Sequence, residues 1–103
     1  MSLRRGTLFF PPKHKWLADI ISLKDPESAR ESVRILKEEF EKSGRARRRT
    51  ILRGANLAAN RAAAFLNKKD LSAKERQEFR EIEKIYRRFV EWASRKLKED
   101  GGE

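Results

Sequence analysis

Five arginines fall within nine residues, Arg45, Arg47, Arg48, Arg49 and Arg53, in the run R-A-R-R-R-T-I-L-R. A guanidinium is permanently charged and presents a planar fork of donors that matches phosphate oxygens, so such a density of arginine is chemistry for holding an anion. Its placement raises a question. The helical period begins at residue 45, directly after Gly44. The first turn of a helix already carries partial positive charge, and each cation there costs about 0.3 to 1 kcal/mol before screening. Carboxylates would suit that turn better.

Projection of residues 45–67 on a helix at about 100° per residue separates two faces. Ile51, Leu52, Ala55, Ala58, Ala59, Ala62, Phe65 and Leu66 cover one side and belong to a core. Arg45, Arg49, Arg53, Asn56, Asn60 and Asn67 line the other, with Lys68 and Lys69 just beyond. Arginine pairs bidentately with phosphate or guanine, and asparagine with the donor–acceptor edge of adenine. The expected partner is therefore nucleic acid, DNA or RNA, with Arg45, Arg47, Arg48, Arg49, Arg53, Asn56, Asn60, Lys68 and Lys69 as the contact surface. The competing reading is internal: Glu38, Glu39 and Glu41 on the preceding helix fold back and neutralise part of the cluster.

Charge is distributed unevenly along the 103 residues, whose net charge is +10. Residues 1–24 carry +4, residues 25–44 carry −2, residues 45–69 carry +8 with no carboxylate at all, and residues 70–103 are neutral. A stretch this long without an acid is the electrostatic footprint of a polyanion-binding protein. A second cationic series, Arg76, Arg80, Lys84 and Arg88, recurs every four residues near the C-terminus. Glu81, Glu83 and Glu91 are near enough in sequence to neutralise it, which predicts a solvated, salt-bridged face.

Other chemistries find little to work with. There is no cysteine and one histidine, His14, with no second ligand type at metal spacing. No glycine-rich phosphate loop and no isolated carboxylate pair occurs, so the chain reads as non-enzymatic and cofactor-free. No apolar run approaches the roughly 20 residues needed to span a bilayer, and no secretory leader is apparent. Membrane association is not expected, and the cytoplasm is the expected location. Abundant Arg, Lys and Glu beside a single Gln and a single Met is a composition that fits a thermophile.

The elements that must position these residues follow from period and punctuation. Residues 1–12 have no helical period and end in Pro11-Pro12, reading as an extended arm that carries Arg4, Arg5, Leu8, Phe9 and Phe10. Residues 13–103 form one helical domain. Trp16, Leu17, Ile20 and Ile21 mark a short amphipathic helix over about 13–23. Asp25-Pro26 starts a second over about 26–43, with Ala29, Val33, Leu36 and Phe40 as its buried stripe. The arginine-rich helix follows over about 45–67. Ser72 and Glu75 then form a capping box for a last helix over about 73–98, with Phe79, Ile82, Tyr86, Phe89, Ala93 and Leu97 inward and Ile85, Val90 and Trp92 widening the apolar face.

The string L-S-A-K-E-R-Q-E-F is similar over nine residues to the opening of LuxR-type helix-turn-helix segments. That motif requires a tight turn and a second helix next, whereas the helical pattern here continues unbroken to Leu97. More broadly, A-A-N-R-A followed by L-S-A-K-E-R-x-E-F and I-Y-R-R resembles short uncharacterised reading frames of archaeal genomes and their mobile elements, over about residues 45–90. This resemblance implies an archaeal source and no active site.

The expected fold is all-α, an extended arm and a short helix followed by three long helices in an antiparallel bundle. Gly44 decides one alternative. Accommodated inside a helix at about 1 kcal/mol, it would fuse residues 26–67 into one rod that a second subunit must complete. A homodimer through Ile85 and Trp92 on the last helix is the corresponding expectation for self-association.

Overall fold

A computed structural model describes residues 15–101, and every regular element among them is an α-helix. These are α1 (Lys15–Ile20), α2 (Pro26–Lys42), α3 (Arg45–Phe65) and α4 (Ala73–Gly101). The arm expected over residues 1–12 lies outside the described residues, as does His14.

Local chemistry sets two of the helix starts. Asp25 Oδ1 accepts from the Ser28 N–H at 2.7 Å, and Pro26 sits where its missing N–H costs nothing. Ser72 and Glu75 satisfy each other's backbone, both bonds being 3.1 Å, and begin α4. A cap of this kind is worth about 1 kcal/mol. Between α2 and α3 only Ser43 and Gly44 remain, at φ −100° and −78°. The rod is thus ruled out. The break uses ordinary extended backbone, and a Cβ at Gly44 would meet nothing within 4 Å.

The three long helices pack up, down and up. Phe65 stacks on Phe79 with ring centroids 4.8 Å apart, which sets α3 antiparallel to α4. Ala55, Ala58, Ala59 and Ala62 are fully buried, and their short side chains allow α4 to approach closely. Running parallel to α4, α2 places Arg30 3.7 Å from Glu81 and Phe40 against Phe89 and Trp92, at centroid distances of 6.3 and 5.3 Å. Ile85 and Trp92, which widened the apolar face, are packed against this core.

Direct contact between α2 and α3 is sparse because α1 and the segment after it occupy the space between them. Leu17 and Ile21 lie on Gly54 of α3, where a Cβ would come within 3.1 Å of Leu17 Cδ1 and 3.4 Å of Ile21 Cδ1. Glycine is what admits this close approach. A six-residue helix does not form alone. Burial of Leu17, Ile21 and Leu23 holds it, at roughly 5 to 9 kcal/mol as an upper bound from about 1.5 to 3 per side chain.

Two expectations need correction. The first helix does not reach residue 23 but stops at Ile20, because side-chain hydroxyls take over its last backbone groups. Ser32 Oγ donates to the Ile20 carbonyl (2.7 Å) or to its own Ser28 carbonyl (2.9 Å), and accepts from the Ser22 N–H (3.1 Å). Tyr86 OH donates to the Ser22 carbonyl (2.8 Å) and accepts from the same N–H (3.1 Å). The same network explains the second correction: Ser32, not Val33, completes the buried stripe of α2, with Val33 only partly covered.

Tyr86 is fully buried. Burial pushes its phenol above the ordinary value, against the opposing effect of its bonds to Ser32 and the Ser22 backbone. A raised pKa in the fold means stability present below the unfolded tyrosine pKa, about 10, and lost as pH climbs past it. Tyr86→Phe is expected to cost about 1 to 3 kcal/mol by orphaning the Ser22 carbonyl. Its thermal midpoint should also fall less steeply than wild type above about pH 10. Equal slopes in a pH series of thermal melts would refute the ionisation account.

Candidate functional site

The arginine cluster splits into two groups with different tasks. Arg48 turns back across the α2–α3 junction, where its Nε donates to the Phe40 carbonyl at 2.7 Å and a terminal nitrogen to the Glu41 carbonyl at 3.3 Å. Its guanidinium also lies 4.9 Å from the Phe40 ring centroid. Arg47 stands 3.9 Å over the Trp16 ring and 3.7 Å from Glu39 Oε1. Arg48 thus serves the carbonyl end of α2, where positive charge is favourable, while Arg47 is held by a carboxylate of the last turn of α2 and by a ring of α1, so the wrong end of α3 in sequence is the right place in space for both. The acidic helix therefore does neutralise part of the cluster, through Glu39.

Arg48→Ala should lower stability by about 1.5 kcal/mol, the lower end for bonds from a charged donor because the group is half-exposed. Arg48→Lys should not restore it, since an ammonium lacks the fork that spans both carbonyls. Chemical denaturation of the two variants checks this; full recovery by lysine would assign the effect to charge alone.

The remaining cations of α3 point away from the core. Arg49 and Arg53 are exposed and, among the described residues, have no carboxylate or hydrogen-bond partner. Arg45 and Asn56 are exposed beside them. Asn60 is exposed as well, and its Oδ1 accepts from Arg87 of α4 at 3.3 Å. Gly44 offers α3 no side-chain cap.

Lys68 and Lys69 are not beside Arg45. The 21 residues of α3 separate them by about 30 Å, and they sit in the turn leading to α4. Lys68 Nζ lies 5.0 Å over the Phe65 ring; Lys69 is exposed. Arg76 holds that turn, donating to the Leu66 carbonyl at 2.9 Å and the Lys68 carbonyl at 3.5 Å, and so does for α3 what Arg48 does for α2.

Of the three carboxylates expected to neutralise the α4 series, Glu81, Glu83 and Glu91, the first two are engaged elsewhere. Glu81 faces Arg30 of α2, and Glu83 binds Arg87 at 2.8 Å. Arg80, Lys84 and Arg88 are exposed and lack ion-pair partners among the described residues, which corrects the expectation of a salt-bridged face. By contrast, α2 forms ion pairs along its own length. Arg34 bridges Glu31 (2.5 Å) and Glu38 (2.8 Å), and the bond from Arg34 holds the Glu31 carboxyl below its usual range.

Chemically, this surface can bind and orient anions. Among the described residues, no three His, Cys, Asp or Glu side chains converge as metal ligands, and no helix is long and apolar enough to cross a membrane. No family model, curated protein or solved structure matches the chain.

Proposed function

We propose that this chain is a non-enzymatic helical protein that binds nucleic acid mainly through phosphate contacts, with Arg49, Arg53, Asn56 and Asn60 of α3 at the centre of the surface and Arg45, Lys68 and Lys69 at its two ends. The observation that carries this reading is that Arg49 and Arg53 stay unpaired among the described residues in a stretch without carboxylates, although the fold has satisfied the neighbouring Arg47 and Arg48. Arg47 and Arg48 then position the surface. Phosphate contacts carry no sequence information, so binding is shape- and charge-directed.

The test is a salt titration of affinity for a labelled duplex by fluorescence anisotropy. About four phosphate contacts predict a slope of log affinity on log salt near −3.6, at roughly −0.9 per contact. Affinity should vary little between sequences. An absence of binding at low salt would overturn the proposal. The alternative, a helical homo-oligomer, has less to draw on: Ile85 and Trp92 are used inside the chain, and Leu57, 39% exposed, is the one large hydrophobic side chain left exposed among the described residues.

A further inference from the structure

The bond from Arg87 to Asn60, 3.3 Å long, marks a point where the outer faces of α3 and α4 adjoin. The two helices run antiparallel, as Phe65 on Phe79 and Arg76 on the Leu66 carbonyl require. A step of about 11 residues makes three turns, returns to within about 20° of the same face and rises about 16 Å. Taken back along α3 from Asn60, that step reaches Arg49; taken forward along α4 from Arg87, it reaches Lys98. In an antiparallel pair both steps lead the same way, here toward the α2–α3 junction. Arg49 and Lys98 are therefore level with each other and stand on adjoining faces. Shorter steps place Asn56 level with Glu91, and Arg53 level with Ser94. Ile51 and Ala93, both fully buried, and Leu97, packed against the core, carry the shared interior to this end of the pair. Lys98 is exposed and, like Arg49 and Arg53, has no carboxylate or hydrogen-bond partner among the described residues.

We propose that Lys98 joins Arg49 and Arg53 in one phosphate-binding site, so that a nucleic-acid backbone held on α3 crosses onto the last turns of α4. This rests on the nucleic-acid reading of α3 and adds to it a contact from outside the basic stretch. Arg49 and Arg53 are one turn apart, about 6 Å of rise, and packed helices have axes about 8 to 10 Å apart, so three long side chains can converge on one backbone. Three cations this close repel one another, and bound phosphates offset that repulsion. Glu91, exposed and level with Asn56, puts a carboxylate on the seam between this cluster and the cations Arg80 and Lys84, which stand on the far side of Arg87. A cation in the last turns of α4 also suits the carbonyl end of that helix without any ligand. The two roles separate experimentally, because only a phosphate contact enters the salt dependence of binding.

The experiment compares wild type, K98A, K98R, K84A and R49A/R53A on labelled DNA and RNA duplexes across a salt series. On whichever duplex wild type binds, K98A should lower the slope by about 0.9 units and weaken affinity about eightfold at 0.1 M salt. K98R should retain the wild-type slope. K84A removes one exposed cation of α4 on the other side of Arg87, and should leave the slope unchanged. All these side chains are exposed, so thermal midpoints serve as the folding control. If R49A/R53A loses slope while K98A keeps it, Lys98 is refuted as a contact and the α3 reading stands; a lower midpoint for K98A in that case would assign it to the end of α4. Equal losses in K98A and K84A would assign both to net charge and also refute the site. If wild type binds neither duplex, the underlying reading fails and this inference with it.

Discussion

Phe89→Ala is expected to lower the unfolding free energy by about 3 to 5 kcal/mol, the range for removing a buried aromatic ring and leaving its cavity. Phe89 is 2% exposed and stands where α2 meets α4, 6.3 Å from the Phe40 ring in an edge-on arrangement and 5.7 Å from Trp92. Such aromatic pairs add about 0.5 to 1.5 kcal/mol beyond their buried area, so the loss should fall in the upper part of the range. Domains of this size have about 5 to 15 kcal/mol in total, and the variant should be visibly marginal. Phe89→Leu keeps most of the volume and should cost less than about half as much. Urea unfolding followed by circular dichroism measures both. A loss within about 0.5 kcal/mol, typical of surface sites, would show that α4 does not face its neighbours as described.

Arg49 and Arg53 should behave in the opposite way, with little effect on stability and a large one on binding. Replacing both with alanine removes two phosphate contacts, which lowers the salt slope by about 1.8 units and weakens duplex affinity by about 60-fold at 0.1 M salt. The loss should be nearly the same for every sequence tested, because the contacts are to the backbone. Arg48→Ala supplies the contrast, losing stability while keeping the slope. An unchanged slope in the double variant would exclude this face as the phosphate contact. If an oligomer dissociated instead, the two arginines would belong to a subunit interface.

Much of the architecture was legible because it depends on residues within one turn of each other. Asp25 with Pro26, and Ser72 with Glu75, announce helix starts through bonds spanning three residues. The apolar period marks Phe79, Ile82, Tyr86, Phe89 and Ala93 as inward-facing, and all five are buried. The small-residue face of α3 likewise points to close helix packing, although Gly54, the one position that admits α1, carries no hydrophobic signal and passes as a surface gap. The end of α1 was not legible at all. It depends on hydroxyls of Ser32 and Tyr86, ten and 64 residues away from Ser22.

The same division applies to the charges. Composition and order alone place eight cations and no carboxylate between residues 45 and 69, and that surplus survives any arrangement of the chain. Which cations remain available is a tertiary matter. Arg48 and Arg76 look equivalent to Arg49 and Arg80 in sequence, yet two of the four are committed to the carbonyl ends of α2 and α3. Glu81 and Glu83 look like partners for the α4 row, yet one is drawn to Arg30 across the helix pair and the other to Arg87. A side chain's rotation about its own helix follows from the period. What lies opposite it depends on how the helices dock, and docking is set by the alanine, glycine and aromatic contacts of the core rather than by the charges.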